Sequence, residues 1–215
     1  MNETSRAVKR WNVAVALAAG LAAAPVPLLG QDAVADQDSA RPDLSPHSAA
    51  ALIAETRSAQ PGSSFTVGLQ LTLEPGWHTY WRNPGDSGEP ASITWRLPDG
   101  VTAGEIQWPA PELIPFPPLA SYGYFDEVLL LVEISTGSKS GAGDSLRLAG
   151  RADWLVCIED CFPAQAELDF TLPMSDAPPG LDPMTAPLFE AARAALPAAD
   201  SAWRSFARFK EPWYG

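Results

Sequence analysis

The segment WLVCIEDCFP, from Trp154 to Pro163, holds the only two cysteines of the chain, Cys157 and Cys161, with three residues between them. Two thiols so close admit three chemistries: a structural disulfide, a metal clip, or a pair that cycles between dithiol and disulfide. Cβ atoms that face each other across a tight turn of Ile158, Glu159 and Asp160 approach the 3.5–4.5 Å a disulfide needs. As a staple the bond would do little, because closing so short a loop removes only about 2 kcal/mol of unfolded-chain entropy.

As a clip, two thiolates suit Cu(I), whereas zinc generally takes four ligands, and the chain offers only two histidines. His47 lies in a polar linker. His78, set between aromatic residues, reads as a packed or surface side chain rather than a ligand. As a redox couple, the pair sits beside Glu159 and Asp160, whose negative charge raises thiol pKa values, with Arg151 the nearest base in sequence. Such a pair attacks weakly alone and depends on a partner's thiolate. No phosphate-binding loop, Ser-His-Asp set or metalloprotease motif suggests another chemistry, and no organic cofactor is required.

What positions the pair depends on compartment and fold. Residues 1–35 have the layout of a cleavable secretory signal: Arg6, Lys9 and Arg10, an uncharged run of about fourteen residues from Trp11 to Ala24, then Ala33-Val34-Ala35 as a cleavage site. The run falls short of the about 20 residues that span a bilayer core, and nothing downstream is long and apolar enough to insert. Export to an oxidising compartment, the periplasm, permits a disulfide. The mature chain keeps 11 basic and 24 acidic side chains, a net charge near −13, which argues against nucleic acid and anionic lipid as partners.

Residues 36–48 read as a polar, proline-bearing linker. Beyond them SFTVGLQLTL alternates strictly, Phe65, Val67, Leu69, Leu71 and Leu73 against Thr66, Gly68, Gln70 and Thr72, the period of a strand with one buried face. After a turn at Glu74-Pro75-Gly76, WHTYW is expected either to complete a hairpin or to bend into the loop RNPGDSGEP, with Trp77, Thr79 and Trp81 opposite His78 and Tyr80. Further strands are predicted over 91–97, 103–108, 127–134, 145–157 and 166–172. Seven or eight short strands separated by turn residues predict an all-β, immunoglobulin-like antiparallel sandwich over residues 49–174. Residues 175–215 read as a linker and a short α-helical tail, with Leu188, Phe189, Ala192 and Leu196 at helical spacing and a second helix near Asp200; the segment is either cut from a longer architecture or complete.

The blocks EPGWHTYWRNPGDSGEP, ITWRLPDGV, IQWPAPE, YGYFDEVLLLVEI and WLVCIEDCFP, in this order, resemble the amino-terminal periplasmic domain of the DsbD family of disulfide reductases, especially its ScsB-like branch, from about Ala50 to Pro173. The resemblance implies an immunoglobulin-like domain and a thiol–disulfide oxidoreductase, a protein-disulfide reductase component. Its Cys157/Cys161 pair would take electrons from a membrane-embedded DsbD-type donor and pass them to periplasmic thioredoxin-like proteins, Cys161 forming the interprotein bond. It also implies a covering segment, Leu113–Ser121, with Phe116 as cap. Tyr122 and Tyr124, like Trp77, Tyr80, Trp81 and Phe125, belong either to a docking surface around the cysteines or to the core, and core packing is the commoner fate of such residues. The alternative from another class is a non-enzymatic copper-binding, copper-tolerance or adaptor module that uses the same thiols as ligands.

Overall fold

The computed structural model describes residues 43–45, 47–138 and 145–198. The expected signal, residues 1–35, and the second helix near Asp200 lie outside these. Eleven strands and one helix follow in order: β1 Asp43–Ser45, β2 Ser48–Ala54, β3 Ser64–Leu73, β4 His78–Gly85, β5 Ser92–Arg96, β6 Val101–Ala103, β7 Glu112–Phe116, β8 Leu119–Phe125, β9 Glu127–Thr136, β10 Ser145–Cys157, β11 Cys161–Pro173 and α1 Ala186–Ala194. They form two antiparallel sheets, one ordered β1-β2-β3-β9-β6 and the other β11-β10-β4-β8-β7, with β5 also paired to β10. This is the all-β, immunoglobulin-like sandwich that the alternation predicts.

The core follows from period two. Val67, Leu69 and Leu71 of β3, Leu130, Val132 and Ile134 of β9, and Leu148, Trp154 and Val156 of β10 point between the sheets and are buried. Trp154 is satisfied there, its indole N–H donating to Ser48 Oγ at 3.2 Å. The apolar run of β9 is unbroken because its other face is also covered. Leu129 and Leu131 pack against Phe189 and Ala192 of α1, and Thr185 ahead of the helix donates its hydroxyl to Ala54 O at 2.6 Å. Arg193 pairs with Glu55, so the helix is fixed beside β2 and β9 by charge as well as by packing. None of the described helices is long and apolar enough to cross a membrane.

Local detail adds to the expected pattern in four places. Of the two courses open to WHTYW, the hairpin with β3 is not taken. The turn Glu74-Pro75-Gly76-Trp77, with Trp77 N–H donating to Glu74 O at 3.0 Å and Gly76 at φ +86°, carries the chain from one sheet to the other, so β3 pairs with β2 and β9 while β4 pairs with β8 and β10. Of the strand expected over 103–108 only Ala103 lies in a strand, as the last residue of β6. Its continuation follows β9 irregularly, because Ala103 opposes Ile134 and Gln107 opposes Leu131, four steps against three, and the extra residue makes a bulge. Asp43–Ser45, inside the expected linker, pairs with β2. The segment 113–121 forms most of a hairpin, β7–β8, at the edge of the second sheet, the position in which Pro115 costs no ladder bond.

Candidate functional site

β10 and β11 are paired along their whole length, from Ser145 opposite Pro173 to Cys157 opposite Cys161. This long ladder fixes the cysteines as the last facing pair of a hairpin whose three-residue loop is Ile158, Glu159 and Asp160, with Ile158 N–H donating to Asp160 O at 3.2 Å. Their Cα atoms are 4.2 Å apart and the sulfurs are joined in a disulfide. The two residues differ in access: Cys157 is buried, 1% exposed, whereas Cys161 lies at the surface.

Because even-numbered residues of β10 point into the sandwich, Cys157 faces outward, on the sheet surface opposite the core. There it meets two side chains of β4. His78 is its partner in register and is also opposite Phe125 of β8, so Cys157, His78 and Phe125 make one row across three strands. Tyr80, two residues along on the same face, places its hydroxyl 3.5 Å from Cys161 Sγ. One glycine lets β8 approach β4 beside it and a second admits its ring. At Gly123, directly opposite Tyr80, a Cβ would overlap the carbonyl oxygen of Thr79; at Gly88, with φ +97°, a Cβ would overlap the Tyr80 ring itself. The loop carrying Gly88 is tied to β8 by Asp86, whose carboxylate accepts from Ala120 N–H at 2.8 Å, and by Ser87 and Ser121, whose hydroxyls are 3.0 Å apart.

The β7–β8 hairpin forms the other wall. Phe116 and Leu119 face each other across a cis Pro117-Pro118 turn and, with Ile114, Ile158, His78 and Tyr80, enclose a cleft of about 500 Å³ that reaches both cysteines. Phe116, Leu119 and Ile158 are large apolar side chains left 40–55% exposed along this cleft. Of the expected site residues, then, Cys157, Cys161 and Phe116 come together. Tyr122 emerges on the opposite face of β8 from the cleft-lining Ser121, beside Leu113. Tyr124 is buried in the sandwich core with its hydroxyl donating to Pro109 O at 2.8 Å, and burial pushes its pKa up.

The electrostatics around the disulfide are sparse. Arg151 is held by Asp153 at 3.0 Å. His78 packs edge-on against Tyr80 and Phe125, with ring centroids 5.3 and 5.7 Å away, and burial pushes its pKa down. His47 stacks on Trp77 at 3.8 Å and bonds Glu74 at 2.7 Å, next to Phe162. Among the described residues no three or more His, Cys, Asp and Glu side chains cluster closely enough to hold a metal ion. His78 and Tyr80 are the site residues that the sequence marks least. Their signal is the alternation of WHTYW, which puts both on the face away from Thr79, and nothing local shows that Cys157 lies on that face.

Residues 48–173 match the family described as "Thiol:disulfide interchange protein DsbD, N-terminal". The chain belongs to the DsbD N-terminal family. Among solved structures, the N-terminal periplasmic domain of ScsB from Proteus mirabilis superposes with a TM-score of 0.54 at 23% identity, covering 73% of this chain. The chain spans 57% of the length of that ScsB structure, and at this identity the likeness shows the fold. The major pilin subunit BcpA of Bacillus cereus matches at a TM-score of 0.34 and 7% identity, over 60% of this chain and 41% of its own. No curated protein matches the chain in sequence. Membership of the DsbD N-terminal family together with a closed cysteine pair supports a thiol–disulfide interchange module with redox activity at Cys157 and Cys161.

Proposed function

We propose that this domain works in the periplasm as a relay of a protein-disulfide reductase, passing electrons from a membrane-embedded DsbD-type donor to thioredoxin-like proteins through Cys157 and Cys161. The observation that carries the reading is the asymmetry of the pair: Cys161 is open to an incoming thiolate, whereas Cys157 is buried against β4. A donor thiolate attacks Cys161 Sγ and forms the interprotein disulfide, and Cys157 leaves as a thiol once protonated. The donor's second cysteine then attacks its own mixed-disulfide sulfur, which releases Cys161 as a thiolate. Toward an oxidised client the same steps run with the roles exchanged: Cys161 attacks, and Cys157 resolves. The apolar rim of Phe116, Leu119 and Ile158 suits a docked protein surface, and the exposure of Phe116 on the cleft wall supports reading it as a cap over the disulfide. The signal-like residues 1–35 support export.

Thiol trapping with intact-mass readout across a series of glutathione redox buffers tests the reading. A midpoint of about −120 to −270 mV, the range of thioredoxin-fold exchangers, is expected. A pair that stays oxidised below about −300 mV would be a staple and would sink the proposal.

A further inference from the structure

Such a relay needs a proton handled at the buried sulfur. When Cys157 resolves a mixed disulfide it must lose its proton, and when it is the leaving group it must regain one, yet at 1% exposure it has almost no contact with water. An unassisted thiol of ordinary pKa near 8.5 is mostly protonated at pH 7, and burial among apolar groups raises that value further. Tyr80, Ile114, Phe125 and Leu155 form the largely apolar cluster around Cys157.

Among the described residues, the titratable groups that line the cleft besides the cysteines are His78, Tyr80 and Glu159. The Tyr80 hydroxyl is directed to Cys161 Sγ. Glu159 sits in the exposed hairpin loop. His78 alone is directly opposite Cys157 across the β4–β10 pairing, and directly opposed residues place their Cβ atoms about 4.5–5.5 Å apart, a spacing across which a thiol freed from the disulfide and an imidazole can meet. Among the described residues, His78 packs against the rings of Tyr80 on its own strand and Phe125 of β8, has Cys157 of β10 opposite it in register, and shares the cleft with Ile114 of β7 and Glu159 of the loop.

Resting on the interchange reading, we propose that His78 is the acid–base group of the Cys157 sulfur. In the resolving step the neutral imidazole accepts the proton of the Cys157 thiol. The thiolate attacks Cys161 Sγ, the Cys157–Cys161 bond forms, and the bond from Cys161 to the client sulfur breaks. The client sulfur leaves with the electron pair as a thiolate and takes the proton back from the imidazolium. Over the two exchange steps the client disulfide gains two electrons and two protons, and the Cys157/Cys161 pair loses them. In the reverse direction the incoming thiol gives its proton to the neutral imidazole as its thiolate attacks, and the imidazolium so formed protonates Cys157 as it leaves. The apolar packing that pushes the pKa of His78 down keeps the ring neutral at pH 7, the form a base requires.

The test uses the fully reduced protein and the small disulfide dithiobis(nitrobenzoate), which reports each exchange by one released thionitrobenzoate. The first equivalent marks the mixed disulfide and the second its resolution. In H78Q the first phase should keep its wild-type rate, and the second should slow at least about tenfold at pH 7. Its pH profile should move up toward that of an unassisted thiol, and in H78A added imidazole should restore the rate. A second phase with wild-type rate and pH profile in H78Q overturns the proposal. Should H78Q not fold, the imidazole response of H78A decides, and no response overturns it. Wild-type protein that never releases a second equivalent overturns the interchange reading itself, which the redox titration above tests separately.

Discussion

Tyr80 reaches Cys161 from another strand, 81 positions away in sequence, and its hydroxyl lies 3.5 Å from the exposed sulfur. A donor at that distance stabilises a thiolate more than a thiol, and one hydrogen bond to a charged group contributes about 1.5 kcal/mol, close to one pKa unit. Tyr80→Phe should therefore raise the pKa of Cys161 in the reduced protein by about one unit. The thiolate fraction at pH 7 falls about tenfold, but the more basic thiolate is the better nucleophile, so alkylation of Cys161 should slow by only about threefold. Alkylation followed by mass spectrometry across pH checks both the shift and the rate. At this scale the cysteines are legible in the sequence because their spacing alone lets them face each other across a tight turn. His78 and Tyr80 are not, because what gives them a place beside the sulfurs is the pairing of β4 with β10, a contact between distant segments that no local pattern encodes.

Among the elements, period two recovers β3, β10 and β11, each with one face in the core and one outside. It fails where that contrast is missing. β2, SAAALIA, alternates in burial but is apolar at nearly every position, and the β7–β8 hairpin is rich in proline and stands at a sheet edge. Two substitutions separate the element that builds the site from one that supports the fold. Gly123→Ala sets a Cβ against the backbone of Thr79, which cannot rotate away, and should cost about 3 kcal/mol in urea unfolding. Because Gly123 is opposite Tyr80, it should also slow Cys161 alkylation as Tyr80→Phe does. Phe189→Ala empties a fully buried position between α1 and β9 and should cost about 3–5 kcal/mol, yet it lies on the other sheet and should leave the glutathione midpoint of the cysteine pair where it is.

For the molecule as a whole, stability should depend on pH through His78. Its folded pKa lies below the value of about 6.5 that it regains on unfolding, because burial disfavours the charged ring. The unfolded chain consequently binds the proton first. Stability contributed by the neutral ring is complete above about pH 6.5, declines as pH falls below it, and stops declining once pH passes the folded pKa. Asp169 has the same sense of shift, lowered by its bond to Arg147, but it titrates from about pH 4 downward, and its exposed pair contributes little. The two windows are therefore distinct. Urea unfolding of the oxidised protein at a series of pH values should show wild type losing stability just below pH 6.5, and His78→Gln should remove that loss while leaving the acid limb below pH 4 unchanged. Equal slopes for the two proteins between pH 6.5 and 5 would mean that the ring takes up its proton as readily folded as unfolded, and so is not held in the apolar setting beside Cys157 that keeps it a neutral base.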